Sequence, residues 1–130
     1  MGTIFSRIIS GELPCHKIAE TDDFLAFLDI SPLATGHTLV IPKNEVDYIF
    51  DMDEKQYLEL HLFAKKVAIN IQKVILCKRI GVAVIGLEVP HAHIHLVPIN
   101  NVGDINFSRP KLTPTKEELS ATADKISSLF

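Results

Sequence analysis

Apolar positions along the chain change period several times, and each change marks an element. Ile4, Phe5, Ile8 and Ile9 recur at helical spacing and are closed by Gly11 and Pro14, which predicts a short N-terminal helix within 3–10. Segments 16–20, 24–28 and 37–41 read as strands, separated by the turn-rich stretches TDD and SPLATG. Asp51, with Glu54 three residues later, has the form of a capping box. Leu60, Phe63, Ala64, Val67, Ala68 and Ile71 then repeat at three and four, so one long helix is expected from Asp53 to about Val74. Segments 80–85 and 91–98 are again strand-like, and Thr113 with Pro114 can start a last helix with the stripe Leu119, Ala123 and Ile126. Strands cluster without strictly alternating with helices. The expected class is therefore α+β: a mainly antiparallel five-stranded sheet, one long helix, and short helices near either end.

Composition narrows what such a fold can do. In 130 residues, 47% of them hydrophobic, one domain over 1–130 can bury a sizeable core. The formal charge of −3 offers no basic field for a nucleic-acid backbone or an anionic membrane, so neither is an expected partner. The opening MGTIFSRIISGELP lacks the basic and apolar regions of a secretory signal, and a cytoplasmic location is expected. Cys15 and Cys77 form no metal-ligand or redox spacing and are assigned no chemistry.

Chemistry concentrates in PHAHIHLVP, residues 90–98. On a strand His91, His93 and His95 share one face, while Ala92, Ile94 and Leu96 take the other and meet the core. Three adjacent imidazoles repel if all are charged, so at neutral pH some must be neutral and available as nucleophile, base or ligand. The residues alone leave three readings open. The histidines are solvated and idle, or they share a zinc ion, or one attacks phosphorus while its neighbours orient it and hold charge.

His-Ala-His-Ile-His-Leu-Val resembles the signature His-φ-His-φ-His-φ-φ of the histidine triad (HIT) superfamily of nucleotide hydrolases and transferases. IFSRIISGELP, ETDDFLAFLDISPLATGH and TLVIPK are similar, in the same order, to segments of its Hint branch, so the resemblance spans about residues 3–98. It implies a HIT-like fold and hydrolysis of a purine nucleotide derivative with no cofactor and no metal. His93 would attack the α-phosphorus, with Nδ1 tied down so that Nε2 is the free lone pair. His91 and His37 would belong to the orienting shell, and His95 would donate to a non-bridging oxygen. Ile4, Phe5, Ile8, Phe27 and Ile30 match the base pocket and Asp29 the ribose carboxylate. Hint proteins pair as symmetric dimers, so a homodimer using the long helix is also implied.

The chain departs from the Hint pattern just before the triad. GVAVIGLEVPH runs almost directly from strand to strand, with a shorter loop and no asparagine. Gly86 still fits, Leu87 stands where glutamine is common, and Glu88 stands where some members carry a serine that assists the leaving group. Glu88 is a candidate general acid if burial raises its pKa. The cysteines that hold structural zinc in some bacterial members are absent, and Ser6 occupies one of their positions. Two alternatives follow: a nucleotide-binding module with little turnover, and a metal-dependent hydrolase using the histidines as ligands.

Overall fold

A computed structural model describes residues 2–130. The elements in chain order are helix α1 (Ile4–Ile9), strands β1 (Lys17–Glu20), β2 (Phe24–Leu28) and β3 (Thr38–Pro42), helix α2 (Glu54–Val74), strands β4 (Arg79–Ala83) and β5 (Ile94–Ile99), and helix α3 (Lys116–Ser127). Short 3-10 turns over Ile49–Asp51 and Val102–Ile105 precede α2 and follow β5. The five strands form one antiparallel sheet in the order β1-β2-β3-β5-β4. The expected α+β class and five-stranded sheet are the observed ones.

Alternation along the strands divides the sheet into two faces. Phe24, Ala26, Leu28, Val40, Ile94 and Leu96 point to the main core, where they meet the predicted stripes of α2 (Leu60, Phe63, Ala64, Val67, Ile71) and α3 (Leu119, Ala123, Ile126). Leu25, Phe27, Leu39 and Ile41 point the other way and are covered by Phe5 of α1. The helical layer is thus thick on one face and a single short helix on the other.

Four boundaries differ by two residues or more from the pattern-based expectation. Asp53, not Asp51, caps α2, accepting from Gln56 N–H at 3.0 Å. Asp51 closes the preceding 3-10 turn through its N–H to the Tyr48 carbonyl, and the buried, extended Met52 separates that turn from the helix. Thr115 rather than Thr113 starts α3, in a reciprocal box with Glu118. β5 begins at Ile94 rather than His91, because Ala92 N–H donates to the Val46 carbonyl at 2.6 Å and so cannot join the ladder with β3. β4 likewise ends at Ala83, and Val84 and Ile85 turn into the loop.

Candidate active site

Of the three histidines only His95 lies on a regular strand, opposite Leu39 of β3 and Ala83 of β4. His91, at a bend, and His93 precede it in chain outside the sheet. All three nevertheless lie on the α1 side of the sheet, and all are buried. Phe5 packs edge-on against His91 and His93, with ring centroids 5.8 and 4.9 Å away, which removes most of the water from their surroundings. Burial pushes His93 below the ordinary histidine value, only partly opposed by its hydrogen bond to the backbone. His93 is therefore neutral near pH 7.

Backbone groups at two places fix the tautomers. His93 Nδ1 lies 2.7 Å from the His91 carbonyl. A carbonyl only accepts, so Nδ1 carries the proton and Nε2 presents its lone pair. Separately, Leu33 N–H donates to His37 Nδ1 at 3.0 Å, which places the His37 proton on Nε2. His37 Nε2 in turn meets His95 Nδ1 at 3.0 Å, so His37 donates, His95 accepts, and the His95 proton is forced onto Nε2. Burial lowers the pKa of His37 to about 4 and that of His95 to about 3, so both stay neutral and the relay keeps its direction. The outcome is one imidazole with a free lone pair beside another with a free N–H, their centroids 4.9 Å apart.

This arrangement divides the orienting shell between two neighbours. His37 orients His95 rather than His93, and it is the main-chain carbonyl of His91, not its ring, that holds His93. The His91 ring donates Nε2–H to the Pro42 carbonyl at 2.8 Å, tying the triad segment to the end of β3, and its Nδ1 has no partner. Asp29, just past the end of β2, caps the following turn by accepting from Ser31 N–H at 2.9 Å through one oxygen. The other lies 3.7 Å from His37 Nε2. Burial pushes the Asp29 carboxyl up, against the Ser31 N–H and the nearby His93 and Lys111.

Asp29, His37 and His95 bring one ligand atom each within 4.8 Å of one another, which raises the question of a metal. The donor chemistry opposes it. A metal on His37 Nε2 would move that proton to Nδ1, which faces the Leu33 N–H, and two donors would then confront each other in a buried place.

Two cavities of about 330 Å³ each meet at Phe5, Asp29 and Leu39. One is apolar and is lined by Ile4, Phe5, Ile8, Phe27, Asp29 and Ile30, all six of the residues expected to bind base and ribose, together with Leu13, Pro14 and Cys15. The other contains His37, His93 and His95, and the loop residues Gly86, Leu87 and Glu88 form part of its wall. Gly86 has φ +72°, a left-handed turn that favours glycine. Leu87 is 89% exposed and Glu88 is exposed, so neither side chain is enclosed by the cavity. Phe107 and Lys111 also line this cavity and were not anticipated; the Phe107 ring lies 4.6 Å from that of His95. Their segment has no periodic pattern, and an aromatic and two cations in the aperiodic FSRPK were the available signal.

The family model described as HIT domain matches residues 10–102. Adenosine 5'-monophosphoramidase hnt1 of Schizosaccharomyces pombe is 34% identical over 131 residues, covering 98% of each chain. An uncharacterized HIT-like protein of Borreliella burgdorferi is 38% identical, covering 82% of this chain and 81% of that protein. Among solved structures, a Hit-like protein involved in cell-cycle regulation from Bartonella henselae superposes with a TM-score of 0.86 at 30% identity, covering 98% of this chain and 96% of that one. A Zn-bound histidine triad family protein from Mycobacterium smegmatis gives 0.78 at 26% identity, covering 98% and 96%.

Proposed function

Because the chain belongs to the HIT family, we propose that it hydrolyses a purine nucleoside phosphoramidate or nucleotidyl ester through a nucleotidyl-histidine intermediate. The observation that carries this reading is the pair of backbone-fixed tautomers, which gives His93 a free Nε2 lone pair and His95 a free Nε2–H on one cavity. The base lies in the apolar cavity and the ribose hydroxyls meet the free oxygen of Asp29, which places the α-phosphate at the junction of the two cavities. His93 Nε2 then forms a bond to phosphorus as the bond to the leaving group breaks. His95 Nε2–H donates to a non-bridging oxygen as its charge grows. The departing amine or alcohol takes its proton from solvent water at the open rim of the cavity. Water next attacks phosphorus, the P–Nε2 bond breaks, and the nucleoside monophosphate leaves with His93 restored. The relative from S. pombe, named for activity on an adenosine monophosphoramidate, supports the choice of substrate.

Adenosine 5'-phosphoramidate labelled at phosphorus tests the reading. Wild-type protein should turn it over with or without a chelator, and a quench in denaturant at alkaline pH, where the P–N bond survives, should trap label on His93. His93→Ala should lose at least about a hundredfold in rate, because a nucleophile lowers the barrier by several kcal/mol, yet still bind AMP. Wild-type protein that binds AMP without turnover would instead make the fold a binding module. Activity lost to chelation and restored by zinc would return the histidines to the role of ligands.

A homodimer belongs to the same proposal. Leu58, Leu62 and Ile69 form an exposed stripe on α2, opposite its buried one, and the edge strand β4 exposes Val82. An unpaired strand edge and an apolar helix stripe are each surfaces that a second copy can cover. A cytoplasmic location follows from the proposed substrate, and no helix among the described residues is long and apolar enough to cross a membrane.

A further inference from the structure

The cavity that holds the triad takes its cation from a part of the chain outside the family match. The strap from Asn100 to Leu112 has few apolar anchors and is folded by polar ones. Asp104 accepts from the N–H groups of Asn100 and Asn101 at 2.8 and 2.9 Å. Arg109 donates to the Gly103 carbonyl at 2.8 Å, and Leu112 N–H reaches the Pro32 carbonyl at 2.9 Å. The strap is thus pinned at one end to β5 and at the other to the turn that Asp29 caps. Between the pins, Phe107 lies against His95, and the Lys111 ammonium donates to the carbonyls of Phe107 at 2.5 Å and Arg109 at 3.1 Å.

An ammonium has three N–H donors, and these two carbonyls use two of them. Lys111 is the sole lysine or arginine among the residues lining the triad cavity. Its field acts on the catalytic side: burial dominates the shifts of His37 and Asp29, and Lys111 contributes to both. The loop before the triad offers Leu87 and Glu88, neither of which can donate a side-chain hydrogen bond to an anion.

We infer that Lys111 is a phosphate-recognition residue, held by the strap so that its remaining N–H and its charge meet the anionic oxygens of the α-phosphate, in place of neutral donors from the loop before His91. The inference rests on the nucleotide reading above and deepens it. It makes the affinity for a 5'-phosphate depend on one cation from the C-terminal third of the chain. Lys111 acts on binding and on the charge of the phosphoryl group, and His93 and His95 act on the bond that breaks.

Binding separates this from a structural role of the strap. Dissociation constants for AMP and for adenosine would be measured by calorimetry on wild type, Lys111→Gln, Lys111→Arg and Lys125→Gln. Lys125 is an exposed residue of α3, so its substitution controls for net charge. Wild type should prefer AMP to adenosine. Lys111→Gln should weaken AMP about tenfold or more, the range of a charge-assisted hydrogen bond, with adenosine unchanged within about twofold. Lys111→Arg should keep most of the preference, and Lys125→Gln all of it. If Lys111→Gln keeps the AMP preference, or weakens adenosine as much as AMP, the inference fails while the nucleotide reading stands. If wild type binds neither ligand, the nucleotide reading fails and takes the inference with it.

Discussion

Removing His37 is the sharpest test of the tautomer relay, because His37 touches no substrate in the proposed mechanism and acts only through His95. His37→Ala leaves two orphans. The first is the buried Leu33 N–H, which loses the acceptor now 3.0 Å away; an unsatisfied buried donor destabilises the fold by about 1–3 kcal/mol. The second is His95 Nδ1, which loses its donor at 3.0 Å and is free to take the proton itself. A His95 protonated on Nδ1 presents a lone pair to the non-bridging oxygen where the wild type presents N–H, so attraction becomes repulsion. Losing the hydrogen bond that selects the tautomer, about 0.5–1.5 kcal/mol, together with a comparable loss of ring orientation, amounts to about 1–3 kcal/mol of barrier, or roughly five- to a hundredfold in rate. Steady-state kinetics on adenosine 5'-phosphoramidate should place this loss in kcat, with AMP affinity changed little. His37→Gln is the discriminating partner, because a carboxamide carries one acceptor and one donor and can serve both neighbours. It should recover part of the rate. A His37→Ala enzyme with more than half the wild-type kcat, or a His37→Gln enzyme no better than His37→Ala, would refute the relay.

Three further outcomes follow from the same geometry. Leu87→Gln adds a donor at an exposed position on the cavity wall, and should raise phosphoramidate turnover up to about tenfold with little change in AMP affinity; a lower rate would remove the missing-donor explanation of this loop. The folded state holds His37 at about 4 and His95 at about 3, below the ordinary value near 6.5, so below that value the unfolded chain binds more protons. Thermal stability should therefore be fully present above about pH 6.5 and decline as the pH falls toward 4 and then 3, less steeply in His37→Gln; the raised Asp29 carboxyl has the opposite sign, and a melting temperature flat from pH 7 to about 4 would contradict these assignments. Light scattering at micromolar concentration should give a dimer for wild type and a monomer for Leu62→Asp, which alters an exposed side chain and leaves the core intact, whereas a wild-type monomer would dismiss the proposed interface.

Elements whose cause is local were legible in the sequence. The stripes of α2 and α3 follow from periodicity, and the division of the triad segment into an imidazole face and an apolar face follows from alternation. Six residues singled out by the resemblance to Hint proteins, Ile4, Phe5, Ile8, Phe27, Asp29 and Ile30, line the apolar cavity. What escaped depends on partners distant in sequence. β5 starts late because one N–H goes to Val46, and His91 spends its ring on Pro42, neither of which any pattern within 90–98 reveals. Phe107 and Lys111 were missed because their segment is folded by capping and carbonyl contacts, which leave no hydrophobic period to read.

The lopsided layering of the sheet has a thermodynamic consequence for the free protein. The face bearing the imidazoles is roofed by α1, whose six residues are well below the length at which a helix persists on its own packing-free stability. Its hold comes from the buried Phe5, the half-buried Ile8 and Ile9 and a Thr3 cap, while the opposite face is clamped by helices of 21 and 12 residues. Local opening of α1, which lines the apolar cavity, is therefore expected at lower cost than opening of the other helices. A purine seated in the apolar cavity, as proposed above, would pack against Ile4, Phe5 and Ile8 of α1 and so stabilise the folded roof. Amide hydrogens of α1 would then exchange through local opening in the free protein and slow on nucleotide addition, while those at the centre of α2 would report only global unfolding in both states.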